Sequence, residues 1–243
     1  MTGARRAITD VAVAVLAILV IAVALETWVR VFAVPGYLMP APTAVALRFA
    51  SDWQLLGREA LVTIVEATAG FAVGTTVAFA IAAAMVRSRL LERTLFPLAI
   101  LVKLTPIVAV APLFTLWFGF GSAPKVAIAA LITFFPMVVN AFVGLRSADP
   151  QEVAFLETLG ATRTEIFRLL RVPTALPYLF SGARISLNLA LIGAVIGEWT
   201  GADHGLGRVI LVANANLDLA TLFAAVLLLA AIGIAANALV GAI

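Results

Sequence analysis

Cysteine is absent from the chain, and histidine occurs once, at His204. The first absence excludes a disulfide framework, a thiolate nucleophile and a sulfur-ligated metal site, and leaves the redox compartment undetermined. A lone imidazole beside Asp203 offers too few ligands for a metal centre, so a hydrogen bond within its loop or a surface role is expected. Charge is scarce as well: 12% of the 243 residues are Asp, Glu, Lys or Arg, against 63% hydrophobic. A soluble domain carries roughly 25% charged and about half apolar residues. A cytosolic enzyme and a disordered chain are thereby excluded, and an integral membrane protein remains. No G-x-x-x-x-G-K-[ST] phosphate loop is present, so the chain has no such nucleotide cradle of its own. The net charge of +3 and pI near 9.9 come from Lys and Arg spread singly between apolar runs. They form no nucleic-acid patch and report topology instead.

What is present is a set of long apolar stretches. A spanning helix needs about 20 largely apolar residues. Ala67–Val86, Leu104–Pro124, Val126–Leu145 and Leu219–Ile243 hold no ionisable Asp, Glu, Lys or Arg. Ile8–Trp28 and Tyr178–Trp199 qualify once charge near an end is allowed. The expected fold class is all-α and polytopic, with six transmembrane helices. Arg5 and Arg6 before an apolar run also suggest a signal peptide, but Ile8–Leu25 exceeds a usual signal h-region and is read as span one. Six spans put both termini on one side. Arg5, Arg6, Arg87, Arg89, Arg93, Arg146, Arg163, Arg168 and Arg171 lie there, against Arg30, Arg48, Arg58, Lys125 and Arg208 opposite. The excess of positive residues places both termini in the cytoplasm. No fixed-period repeat or low-complexity tract appears, so residues 1–243 are expected to form one transmembrane domain, with a cytoplasmic loop at 146–177.

That loop is the most charged part of the chain and reads ADPQEVAFLETLGATRTEIFRLLRVPTALP up to Pro177. Asp149 suits a helix cap and Pro150 the first helical position. Val153, Ala154, Leu156 and Leu159 give an apolar stripe, with Gln151, Glu152 and Glu157 polar, and Gly160 ends the helix. A second helix from Thr162 carries Ile166, Phe167, Leu169 and Leu170, and Pro173 and Pro177 are expected to stop it before span five. The pattern is two amphipathic helices around a small-residue turn at the inner membrane face. A plain interfacial connector has the same pattern.

The segment resembles the cytoplasmic loop of importer-type ABC permeases, whose signature runs E-A-A, three residues, G, nine residues, I-x-L-P. Gly160 and Pro173 stand at the required spacing, with Leu170 and Val172 in the Ile and Leu places; Ala154, Phe155 and Leu156 depart from E-A-A. LGATRTEIF resembles the LGAS-x-x-x-IF version of the nitrate, sulfonate and taurine-like permeases. The likeness runs from about Pro35 through LMPAPTAV, TIVEATAGF, TPIVAVAPLFTLWFGFGSAPK and ITFFPMVVNAFVGL. Glu66 in TIVEATAGF, Leu156 before ETLGA, and GAVIGEWTGADHGLG (Gly193–Gly207) are most similar to permeases for thiamine-precursor pyrimidines and heterocycles such as riboflavin. The resemblance implies a type I ABC importer fold in a bacterial cytoplasmic membrane. It also implies a second permease copy in a homodimer, two cytoplasmic ATPase subunits that hold ATP and Mg, and an extracytoplasmic substrate-binding protein. This chain would then be a transport subunit with no cofactor of its own. By the same resemblance Glu152, Ala154, Leu156, Glu157, Gly160, Ala161, Arg163 and Glu165 would dock the ATPase.

Polar residues at membrane depth are costly and face a cavity, pair, or snorkel. Glu66 has no neighbouring cation in sequence and needs a tertiary partner or a proton. Lys103 faces a water-filled vestibule near the inner gate or snorkels to the headgroups. Arg184 snorkels or hydrogen-bonds between helices. Glu198 contacts substrate or binding protein, or is a solvated interfacial carboxylate, the expectation favoured by its place near the span's outer end. Asn140 and Asn188 bridge helices or line a path. Pro97, Pro106 and Pro112 interrupt the third apolar region and mark it as a pathway candidate. The candidate path residues are Glu66, Lys103, Thr105, Pro106, Thr115, Trp117, Asn140, Ser186, Asn188, Glu198 and Trp199. Phe114, Trp117 and Trp199 offer stacking faces for a planar ring, or belong to helix packing and the interfacial belt. The expected cargo is an uncharged heterocycle; Lys103 and Arg184 keep a sulfonate, taurine or nitrate-type anion open. A stand-alone ion-coupled transporter would use Glu66, Lys103 and Arg184 as a relay, but no paired broken helices appear in corresponding halves. Gly201, Gly205 and Gly207 suggest a tight external turn.

Overall fold

The computed structural model of the protein describes residues 2–241, with side chains from Val13 onward apart from positions 14 and 15. The described residues form helices α1 (Thr2–Val31), α2 (Pro42–Ser51), α3 (Trp53–Arg87), α4 (Arg89–Leu104), α5 (Ile107–Phe118) and α6 (Ser122–Arg146). They continue with α7 (Pro150–Thr158), α8 (Arg163–Ile166), a π-helical turn at Phe167–Arg171, α9 (Val172–Trp199), α10 (Leu206–Ala215) and α11 (Leu219–Gly241). Four helices among them are long and apolar enough to cross a membrane: Trp53–Arg87, Ser122–Arg146, the continuous run Arg163–Trp199, and Leu219–Gly241. They contain the expected spans two, four and five, and span six up to Gly241, its last two residues lying outside the described ones. The stretch expected as span one, Ile8–Trp28, lies in α1, where the side chains at positions 8–12, 14 and 15 fall outside the described ones.

Two expectations are corrected. Leu104–Pro124 is not one span: α4 and α5 meet at a bend of 101° and count as a fifth crossing only if taken together. Pro106 has no N–H to continue the ladder, and its ring forces Thr105 into an extended conformation (ψ 125°), so α4 ends and Pro106 opens α5. Conversely, Pro173 and Pro177 do not stop the helix before span five, which runs unbroken from Arg163 to Trp199. The π turn just ahead of Pro173 widens the ladder by one residue and relieves the clash of a proline ring with the carbonyl one turn back.

The chain divides into two compact units, Met1–Arg58 with Val209–Leu228, and Glu59–Arg208 with Leu229–Ile243. In the first, α2 starts at Pro42 with no side-chain cap from Ala41. Glu26 of α1 supplies the missing acceptor: the Thr43 N–H donates to its Oε2 at 3.0 Å and the Thr43 hydroxyl to its Oε1 at 2.8 Å. Asp218 caps α11, accepting from the Thr221 N–H at 3.2 Å and the Thr221 hydroxyl at 2.8 Å, and pairs with Arg48 at 3.2 Å. Burial alone would raise the Asp218 carboxyl, but the Thr221 hydrogen bonds and Arg48 together outweigh it and hold it below its ordinary value.

The second unit is built on α6. Hydrocarbon supplies no hydrophobic force between apolar helices, so small residues that permit close backbone approach decide the packing. Gly70 and Gly74 of α3 lie one turn apart, as do Gly193 and Gly197 of α9. A Cβ on Gly193 would stand 2.6 Å from the Ala129 Cα, and one on Gly197 2.7 Å from the Lys125 Cα. Gly70 meets Ala129 from the other side, and Gly74 meets Ala130 and Thr133. Nearer the other end of α6, Met137, Val138, Ala141, Phe142 and Leu145 pack with Ala78, Ala82 and Met85 of α3 and with Ala175 of α9. Overpacking such a contact costs about 1–3 kcal/mol. Gly193→Leu is therefore expected to lower the thermal unfolding midpoint in detergent by several degrees, while Gly57→Ala, whose Cβ would meet nothing within 4 Å, leaves it near the parent value; equal effects would show that close approach is not the determinant.

Candidate functional site

Beside the α4–α5 bend a cavity of about 530 Å³ opens in the second unit, lined by Lys103, Thr105, Phe135, Asn140 and, from α9, Leu189, Ile192 and Ile196. The Lys103 ammonium stands 4.9 Å from the centre of the Phe135 ring, a cation–π distance. Asn140 donates to the Pro136 carbonyl at 2.8 Å, binding its amide to its own helix. Apolar walls with one cation, one hydroxyl and one amide suit a small ligand whose orientation is fixed by a few polar contacts.

Three further path candidates make hydrogen bonds to neighbouring segments. Ser186 is buried and donates to the Thr133 carbonyl at 3.1 Å, and Asn188 accepts from Asn237 of α11 at 2.7 Å, the interhelical bridge expected of such an amide. Thr115 pairs with Thr200, hydroxyl to hydroxyl, at 3.2 Å. Pro106 is the residue before α5; Trp117 and Trp199 are exposed, Trp117 packing on Phe114 with ring centres 5.8 Å apart. Arg184 is exposed.

Glu66 and Glu198 belong to a buried polar network. Glu59, Thr63 and Glu66 recur at helical spacing on one face of α3. The tertiary partner that Glu66 requires is Lys125 of α6, whose Nζ lies 2.7 Å from Glu66 Oε1. Lys125 is the one buried cation among the described residues, and Glu66 Oε2 has no hydrogen-bond partner. Glu198 is fully buried, which corrects its expected place as a solvated interfacial carboxylate. Thr63 donates to its Oε1 at 2.7 Å, and the Gly207 N–H donates to its Oε2. Glu59 accepts from the Gly205 N–H and meets His204 Nδ1 at 3.3 Å; Thr63 also accepts from the Leu206 N–H at 2.9 Å. Gly205 has φ +113°, and a Cβ there would overlap the Glu198 carboxylate, so the glycine serves both the turn and the approach. The sequence signals Glu59 and Thr63 only by their helical spacing with Glu66, and nothing in it singles out Lys125 as the partner.

The cytoplasmic-loop candidates form a capped two-helix segment. Asp149 accepts from the Gln151 N–H at 2.8 Å with Pro150 at the first helical position, as expected. α7 closes in a Schellman arrangement: the Gly160 N–H donates to Glu157 and the Ala161 N–H to Leu156, both at 3.0 Å, with Gly160 at φ +80°. Nothing lies within 4 Å of a Cβ at Gly160, so the demand for glycine is conformational rather than a matter of space. Thr162 caps α8, and Glu165 closes a capping box by accepting from the Thr162 N–H at 2.7 Å. Glu152, Ala154, Glu157, Gly160, Arg163 and Glu165 are exposed, and Leu156 and Ala161 are half-buried. The largest apolar groups presented outward are Phe155 (63% exposed) and Leu159 (67%).

Residues 74–243, which carry the cavity and the two-helix segment, match the family described as binding-protein-dependent transport system inner membrane component. The chain belongs to this family. It is 37% identical to the riboflavin transport system permease protein RibX of Chloroflexus aurantiacus, over 85% of this chain and 78% of that protein. It is 35% identical to the formylaminopyrimidine transport permease protein ThiX of Halalkalibacterium halodurans, over 82% and 80%. Its fold is that of a chain in the MetNI methionine ABC transporter solved in inward facing conformations, with a TM-score of 0.64 at 20% identity over 79% of this chain and 97% of that one. The protein is accordingly a permease subunit of an ABC importer, a multi-pass inner-membrane transport component and not itself an enzyme.

Breaking a buried ion pair by removing one partner costs about 3–5 kcal/mol, while replacing both by apolar groups is often near neutral. Lys125→Met is expected to destabilise this permease strongly in thermal unfolding, and Glu66→Leu with Lys125→Met to recover most of the loss. A double variant as unstable as the single one would mean that Lys125 acts through other partners.

Proposed function

We propose that the chain is the translocation subunit for a small heterocycle, a thiamine-precursor pyrimidine or a related compound such as riboflavin. A type I importer works as two copies of this permease, two cytoplasmic ATPases that bind ATP and Mg, and an extracytoplasmic binding protein that delivers the cargo. The whole chain acts as one permease domain with six spans, the bent α4–α5 pair and α1 among them, and both termini are cytoplasmic. The observation that carries this reading is the pairing, within one unit, of the Lys103–Phe135–Asn140 cavity with a capped segment that turns Phe155 and Leu159 outward. Such apolar groups on a short, fixed helix suit the groove of a partner, and Glu152 and the neighbouring charges set its orientation. The Phe135 face and the Asn140 amide suit a planar ring with hydrogen-bonding edges. The names of the pyrimidine and riboflavin relatives support the same cargo class.

Lys103 favours a second reading of the cargo, an anion of the sulfonate, taurine or nitrate type, because a cation beside a cavity lowers the cost of carrying negative charge. Uptake decides between them. The reconstituted complex with its binding protein is expected to import a formylated aminopyrimidine or a flavin in an ATP-dependent manner, and Phe155→Asp to lose ATPase copurification and uptake together. Sulfonate or nitrate uptake without heterocycle uptake would overturn the cargo and leave the importer in place; uptake driven by an ion gradient without ATPase would overturn the importer mechanism. Cysteines introduced singly at Ser88 and Ser122 are expected to label from opposite sides of the membrane, Ser88 from the cytoplasm; labelling of both from outside would reject the orientation.

A further inference from the structure

A second cavity, of about 450 Å³, lies where the end of α3 faces α7, α8 and the π turn. Three guanidinium groups line it, from Arg87, Arg163 and Arg171, with Glu157 as the one carboxylate. None of these four side chains takes part in an ion pair among the described residues, although all line the same space. Arg87 lies over the Phe167 ring at 5.1 Å, and Arg171 donates to the Leu145 carbonyl at 3.1 Å. Both guanidinium planes are therefore held by contacts that leave their charge uncompensated. The π turn contributes Phe167 and Arg171 themselves. Such turns carry a poorer hydrogen-bond ladder than an α-helix and recur at functional sites. The remaining wall is apolar, with Val86, Val153 and Ile166.

We propose that this cavity binds a phosphate group, and that its source is the headgroup of an anionic lipid of the cytoplasmic leaflet. Guanidinium forks match phosphate oxygens in pairs, which three arginines against a single carboxylate around one opening invite. Arg87 closes the apolar run Ala67–Val86, so its guanidinium sits where a spanning helix leaves hydrocarbon for headgroups. Basic pockets at that level on the cytoplasmic side take lipid headgroups, and the apolar wall accommodates the glycerol and upper acyl chain. The inference rests on the orientation and the coupling role given to α7 and α8 under Proposed function. A lipid seated there braces the docking segment against α3, so lipid charge tunes how the ATPase stroke reaches the permease.

The test uses the intact complex in a neutral detergent, titrated with phosphatidylglycerol or phosphatidylcholine and read by native mass spectrometry, with ATPase content recorded in the same spectra. The wild-type complex is expected to retain phosphatidylglycerol about tenfold or more over phosphatidylcholine, and Arg87→Gln with Arg163→Gln to lose about tenfold of that retention. Arg87→Lys with Arg163→Lys keeps the charge without the forks and is expected to fall between, which decides the matter if the Gln variant fails to insert. Preferential binding of inorganic phosphate with no preference for phosphatidylglycerol would keep the phosphate site and assign it to a soluble ester. Equal retention of both lipids with no phosphate binding would overturn the site. Undiminished phosphatidylglycerol retention in the Gln variant with loss of the ATPase would also overturn it, since the arginines then serve the partner. Wild-type spectra without ATPase but with the lipid preference intact would reject the docking reading alone.

Discussion

The second unit depends on how closely α6 is approached from two sides at once. Ala129 is met by Gly70 from α3 and by Gly193 from α9, and one turn earlier Gly197 lies on the backbone of Lys125. In a bilayer this proximity is what gives van der Waals contact between helices, because apolar side chains gain nothing by leaving lipid for one another. The same proximity determines where Lys125 goes. With α9 lying on its Cα and lipid costly for an ammonium, its stem reaches the α3 face that carries Glu66, where the ion pair closes at 2.7 Å. Small residues and the buried pair are thus one arrangement: enlarging the glycines would separate the helices and strand the charge.

Three buried carboxylates with one buried lysine need further contacts, and these come from backbone as well as from the Thr63 and His204 side chains. The Gly205, Leu206 and Gly207 N–H groups point at Glu59, Thr63 and Glu198 respectively. A turn that offers three successive amides to acceptors on α3 and α9 needs positive φ, which Gly201 and Gly205 adopt at +120° and +113°. The connection leaving α9 is therefore held by its own main chain to the helix that carries Glu59 and Thr63. That explains why the motif GAVIGEWTGADHGLG is rich in glycine beside a glutamate: the glycines admit the carboxylate, and the carboxylate holds their amides.

Much of this was legible in the sequence, and the remainder follows a physical pattern. The apolar stretches of α3, α6, α9 and α11, the Asp149 cap, Pro150 and the Gly160 terminus could be read because each is a local signal of composition or capping. The need of Glu66 for a partner was also readable, since isolation in sequence is itself a local fact. The partner was not: Lys125 lies 59 positions away, and its burial follows from α6 packing rather than from its flanks. Glu198 was misplaced for the same reason, its donors being the fold's product. Proline misled in opposite directions. Pro106 breaks its helix because Thr105 extends before it, whereas Pro173 follows a π turn that absorbs the clash, and no residue signal separates the two cases.

The π turn also joins the two-helix segment to the end of α6 that leads toward the cavity. Arg171 is tied to the last carbonyls of α6 at Leu145, and Gly144 lets Tyr178 and Ala175 of α9 sit directly on that end. Toward the cavity, Gly182 meets Asn140 and Met137 in the same manner. From the two-helix segment to the cavity wall, α6 and α9 are thus in close contact at Gly144 and Gly182. Contacts of this kind resist separation yet permit sliding and rotation, because they rest on van der Waals fit rather than on interlocked side chains. Under the docking role proposed for α7 and α8, a push on them would pass the widened turn and move α9 along α6 by a small shear. Asn140, on the cavity side of α6 and touching Gly182, is where that shear would change the shape of the space beside Lys103.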